Sequence, residues 1–140
     1  MNNIDFKALL FTFQGRINRA PYWTAIVIYV VTMLIVATLA FLLALGSAFF
    51  IVLLIVYIPL VVSGVMVGIK RLHDRDKSGW WLAVFYLLPF ALNVVSHVLG
   101  DLGFIVSLAG YAVSIWGLVE LGFLRGTAGP NRYGPDPLAS

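Results

Sequence analysis

Residues 20–69 read APYWTAIVIYVVTMLIVATLAFLLALGSAFFIVLLIVYIPLVVSGVMVGI, fifty positions without an Asp, Glu, Lys or Arg. A bilayer core of about 30 Å is crossed by about 20 helical residues. The run is too long for one crossing and suits two, joined by a tight turn. Gly46-Ser47 is the natural break, because Gly and Ser relax helix geometry. The expected helices run over residues 22–45 and 48–69.

Two further uncharged runs follow. Ser78 to Gly100 predicts a third crossing over 80–99, and Leu102 to Val119 a fourth over 103–124, with Gly100-Asp101 as the turn. The expected fold is therefore an all-α bundle of four transmembrane helices in a single domain covering residues 1–140. The competing view of the N-terminus, a cleaved signal peptide, needs an apolar region of about 7–15 residues. The run here is far longer and continues into a second span.

Composition agrees. Of 140 residues, 61% are hydrophobic and 11% charged, against about 45–50% and about 25% in soluble domains. An ordinary water-soluble domain, a disordered tail and a disulfide scaffold are excluded. With no cysteine, thiolate nucleophiles, Cys zinc sites and iron–sulfur clusters are excluded too. The net charge of +3 does not point to nucleic acid, because the charges are few and segregated.

That segregation sets an expected orientation. The nine Lys/Arg are Lys7, Arg16 and Arg19 before the first span, Lys70, Arg71, Arg75 and Lys77 between the second and third, and Arg125 and Arg132 after the fourth. With four spans these segments share one side, and positive residues near span ends stay cytoplasmic. Both termini are expected in the cytoplasm. Tyr22-Trp23 and Trp80-Trp81 suit the interface on that side, where an apolar ring keeps its polar atom hydrated. Before the first span, Phe6, Leu9, Leu10, Phe13 and Ile17 recur at helical spacing. They predict a short interfacial helix ending near Gly15.

Three strings on this side stand out: Phe13-Gln14-Gly15-Arg16-Ile17-Asn18-Arg19 with Tyr22-Trp23, Lys70-Arg71-Leu72-His73-Asp74-Arg75-Asp76-Lys77-Ser78-Gly79-Trp80-Trp81, and Gly129-Pro130-Asn131-Arg132-Tyr133-Gly134-Pro135-Asp136-Pro137. Together, over nearly the whole chain, they resemble the family called domain of unknown function 805. The resemblance implies a small multi-pass protein of the bacterial inner (cytoplasmic) membrane. It brings no catalytic or ligand residues, since the family has no settled activity.

The residues themselves suggest a cap. Segments 1–19, 70–79 and 125–140 are expected to be cytoplasmic. Arg16, Arg19, Arg71 and Arg132 are suited to clamp carboxylates or phosphates. Asp74, Asp76 and Asp136 are the natural anionic partners, with His73, Arg75 and Asn131 among them. The tail, rich in Pro and Gly, predicts turns rather than helix. His73, Asp74 and Asp76 invite a metal reading, but the four adjacent cations favour ion pairs, so neither metal nor cofactor is expected. Glu120, the one acid within a span, is expected to pair with Arg125 or the basic loop. Asn93 and His97 are expected to share an interhelical hydrogen bond.

Small residues mark helix contacts: Gly64 and Gly68 as GxxxG, and Gly103, Ser107, Gly110, Ser114 and Gly117 as a seam. Whether the seam joins helices of one chain or of two is open at this point. Pro59 and Pro89 fall near midspan, where broken helices hold substrate in transporters, but no charge accompanies them. The function expected is a non-enzymatic interaction or assembly module. The alternative is a small oligomeric transporter, channel or lipid-handling protein, and a membrane enzyme using His73 with an Asp is third. Expected partners are membrane lipids, including anionic headgroups, a second copy or another membrane protein, and not nucleic acid.

Overall fold

The computed structural model describes residues 5–43, 46 and 48–139. It is all helical, with no strand among the described residues: α1 Phe6–Phe11, α2 Arg19–Leu42, α3 Ala48–Asp74, α4 Trp81–Ser96 and α5 Gly103–Leu118. A 3₁₀ turn, Gly100–Leu102, leads into α5, and a π-turn, Val119–Phe123, continues it. Three stretches are long and apolar enough to cross a membrane: Arg19–Leu42, Ala48–Asp74 and Gly100–Phe123. The fourth apolar helix, Trp81–Ser96, is shorter.

The helices form where expected, with boundaries moved by identifiable chemistry. α2 starts at Arg19 rather than Tyr22, because the Asn18 side chain accepts the Ala20 amide at 3.0 Å. Pro21 is tolerated there, since a first-turn amide has no helical partner to lose. The expected end at Leu45, and Ser47 of the expected break, lie outside the described residues, whereas Gly46 has the left-handed φ of +55°. α3 runs five residues past its expected end at Ile69, so Lys70, Arg71, His73 and Asp74 are helical and not in a loop. Cations in a last turn face the negative end of the helix dipole. The helix then closes with the Lys77 amide on Leu72 O (2.9 Å) and the Asp76 amide on His73 O (3.0 Å). This is a Schellman closure in which Asp76, at φ +55°, takes the place usual for glycine.

α1 is also shorter than expected, ending at Phe11 and not near Gly15. Lys70 stops it, because its ammonium takes the Ala8 and Leu9 carbonyls, each at 2.5 Å. The Tyr29 hydroxyl meets Ser63 Oγ (2.8 Å), which donates to Leu10 O (2.7 Å). α1 is thereby tied to both α2 and α3. Of its apolar stripe, Leu9 is buried, while Phe6 and Phe13 are exposed.

α2 packs along α3, and α4 along α5. Gly103, Gly110 and Gly117 are buried at heptad spacing, with Ser107 half-buried and Ser114 exposed between them. A Cβ on Gly117 would stand 2.9 Å from Phe85, and one on Gly110 would stand 3.4 Å from Pro89 O. The seam therefore joins two helices of one chain. Gly68 makes the same close approach to Leu82, but a Cβ on Gly64 would have ordinary space, 3.8 Å from Tyr29. Asn93 and His97 share no interhelical bond. Both are exposed, and their side chains have no partner among the described residues. The contact between α4 and α5 is made instead by the glycines and by Phe85 and Trp116, whose rings lie 5.1 Å apart.

Candidate functional site: a polar cap

The polar residues gather at one end of the bundle. Asp74 is at its centre, 2% exposed, beside Arg71, which is fully buried. Arg71 Nη1 meets Asp74 Oδ2 at 2.6 Å, and Arg16 Nη2 meets Oδ1 at 3.1 Å. Two guanidiniums on one carboxylate leave a positive excess, which buried surroundings penalise. Backbone carbonyls offset it. Arg71 donates to Leu121 O at 2.7 Å and also to Leu124 O. Arg16 donates to Thr127 O (2.7 Å), Gly129 O (2.8 Å) and Gly134 O (3.3 Å). Arg16 thus joins the loop before α2 to the end of α3 and to three points of the tail.

The π-turn has its own set of donors. Its wider winding, with the Leu124 amide on Val119 O, exposes carbonyls that an α-helix would otherwise direct to its own amides. Five successive carbonyls, Leu121 to Arg125, are taken by Arg71, Trp23, Arg19, Arg71 again and Arg75. Cations at the negative end of a helix are favourable. The same turn presents Glu120, 3% exposed, to Arg75 (2.9 Å) and Lys77 (3.1 Å). The expected ion pair with the basic loop is present, without Arg125. Lys77 also lies over the Trp81 ring, 4.9 Å from its centroid, a cation–π placement.

The tail closes over this centre. Thr127 donates its amide to Asp74 O at 2.8 Å. Asn131 Nδ2 donates to His73 O and to Thr127 Oγ1, both at 2.9 Å. His73 stacks face to face on Tyr133, with centroids 3.8 Å apart and planes 5° from parallel. Its Nδ1 is 3.2 Å from Gly15 O, within reach when that nitrogen carries the proton. Arg132 pairs with Asp76 at 3.1 Å at the exposed edge. Gly126 has to be glycine, because a Cβ would overlap the Asp74 carboxylate. Gly129, at φ +73°, carries the tail round one corner.

The structure therefore brings Arg16, Arg19, Arg71, His73, Asp74, Arg75, Asp76, Asn131 and Arg132 into one network. Asp136 makes no ion pair among the described residues. It accepts the Leu138 and Gly129 amides at 2.9 Å each, and these bonds hold its carboxyl below the usual carboxylate range. His73, Asp74 and Asp76 point three ways, and among the described residues no three His, Asp or Glu side chains converge as a metal site would need. Lys70 and Thr127 are further members of the network that sequence pattern alone did not single out. No buried side-chain nitrogen or oxygen among the described residues lacks a partner.

Comparison with known proteins yields one family, described as "Protein of unknown function (DUF805)", matching residues 10–135. The chain is 31% identical over 137 residues to the uncharacterized protein YiiR of Escherichia coli strain K12, covering 91% of this chain and 86% of that one. It is 29% identical over 127 residues to the inner membrane protein YhaI of the same strain (89% and 85% covered). It is 28% identical over 131 residues to that strain's inner membrane protein YhaH (89% and 86% covered). No solved structure matches the chain.

Proposed function

This chain belongs to the DUF805 family, and we propose that it is a non-enzymatic assembly module of the bacterial inner membrane, built to present a rigid polar cap to a partner. The observation that carries this is the commitment of the buried charges. Asp74, Arg71 and Glu120 are each held by two or more fixed partners. A carboxylate whose oxygens are already held by cations has little left to offer a substrate. It is well placed to fix a surface.

The proposed topology has four crossings with both termini in the cytoplasm. α4, at 16 residues and about 1.5 Å each, spans about 24 Å. Turns at both ends, Trp81 amide to Ser78 O and Val98 amide to Val95 O, continue its apolar run, and a bilayer thins around a short span at modest cost. Every Lys and Arg then falls on the cap side.

The test is purification from native membranes in lipid particles, alongside a variant altered only at the exposed edge, Arg132→Glu with Leu138→Glu. A stoichiometric protein bound to wild type and missing from the variant supports the module. Solute flux across proteoliposomes that is lost on changing Pro59, Pro89 or Glu120 sinks it in favour of transport.

A further inference from the structure

α4 packs closely on α5 but meets α3 sparingly, near Gly68–Leu82 and Ile69–Gly79. Below these contacts the two helices leave a groove of about 840 Å³, within the range of about 300–1,000 Å³ of small-molecule sites. Its walls are apolar, with Ile26, Val61, Val65 and Leu87 among them, and no Asp, Glu, Lys or Arg lines it. Towards the cap its lining turns polar, with Tyr22, His73 and Ser78. Along α3 its lining runs from Tyr57 to His73, apolar or glycine as far as Ile69. That apolar part is about 18 Å at about 1.5 Å per residue, close to one leaflet of a hydrocarbon core about 30 Å thick.

Tyr22 is the second observation. It is 6% exposed, it lines the groove, and its hydroxyl makes no hydrogen bond to any described residue, whereas the Tyr29 hydroxyl is bound to Ser63. That hydroxyl is not sealed in the core, so it is accessible from the groove and free to donate to whatever occupies it.

We propose that this groove is a phospholipid site, holding one acyl chain between α3 and α4 with the ester–phosphate region at Tyr22, Ser78 and His73. The polar end offers a phenol and a hydroxyl able to donate, beside the His73 imidazole whose Nδ1 already faces Gly15 O, and a glycerophospholipid supplies acceptor oxygens there and nowhere along its chain. A helix from a second copy does not match this demand, because its backbone carbonyls are taken by its own amides. The site does not depend on what the cap binds.

The test counts phospholipid retained per chain by native mass spectrometry. The full-length protein is delipidated in detergent and re-equilibrated with vesicles of phosphatidylethanolamine and phosphatidylglycerol. Wild type is expected to keep one phospholipid. Tyr22→Phe, which keeps the ring and removes the donor, is expected to bind about five- to tenfold more weakly, as one lost hydrogen bond implies. Ala83→Phe, filling the wall, is expected to keep none, with its thermal melt checked against wild type. Equal retention by wild type and Ala83→Phe overturns the proposal. So does inorganic phosphate or glycerophosphate competing as well as whole lipid, which would mean that the chain contributes nothing. Disulfide crosslinking between Ala83→Cys chains, in a protein otherwise free of cysteine, would place a second copy in the groove and overturn it too.

Discussion

Arg16 and Asp74, 58 positions apart, meet at 3.1 Å with side chains 1% and 3% exposed. Removing one member of a buried, hydrogen-bonded ion set leaves uncompensated charge and costs about 3–5 kcal/mol. Asp74→Asn strands two guanidiniums and is expected to lose that much, read as a large drop in the thermal midpoint in detergent. Asp76→Asn, at a pair 60% and 45% exposed, is expected to cost less than about 1 kcal/mol. Equal effects would contradict the placement of the two acids.

Charge exchange separates these pairs further. Arg132→Asp with Asp76→Arg is expected to recover the ion-pair part of either single loss, because both side chains are free to reorient in water, but not the cost of an Arg at the left-handed φ of position 76 or the lost bond to Asp76 O. Arg16→Asp with Asp74→Arg is expected not to recover, because the three tail carbonyls on Arg16 would then face a carboxylate. Proteolytic resistance of the tail is the readout, and rescue of the second pair would refute the hub role of Arg16.

Helix packing predicts a contrast between two glycines. Gly117→Ala forces a methyl to within 2.9 Å of Phe85 and is expected to cost about 1–3 kcal/mol. Gly64→Ala meets nothing closer than 3.8 Å and is expected to change stability by less than about 0.5 kcal/mol. Reversible unfolding in mixed micelles distinguishes them.

The tail responds to acid through Asp136. Its carboxyl is held below the ordinary value by the Leu138 and Gly129 amides, so its folded pKa is depressed. The contribution is complete above the unfolded carboxylate range near about 3.9 and is lost as pH falls through the lower folded value. Amide exchange at Gly129 and Leu138, corrected for intrinsic rates, is expected to speed up in that window. Asp136→Asn is expected to abolish the pH step.

The spans were legible because fifty uncharged residues, at about 20 per crossing, admit few arrangements. The cap residues were legible as a set, since charges excluded from hydrocarbon have to collect at its edge. Their pairing was not. Asp74, Asp76 and Asp136 are equivalent in composition, yet only the helical continuation to Asp74 turns that side chain inward. The continuation itself was hidden, because polar residues past a span resemble a loop. The carbonyl partners of Arg16 and Arg71 were also out of reach, as main-chain acceptors leave no mark on a sequence pattern. Lys70 passed for an ordinary flanking charge until its ammonium was seen on the end of α1.

The π-turn carbonyls impose an order on biosynthesis. Arg19, Trp23, Arg71 and Arg75 emerge from the ribosome before Leu121 to Arg125, which they later hold. Until that final stretch is delivered, Arg19, Trp23 and Arg75 lack these acceptors and Arg71 has Asp74 alone, however well the apolar faces of α2 and α3 have settled in the bilayer. A chain truncated before Leu121 is therefore marked as incomplete by its own unanswered arginines.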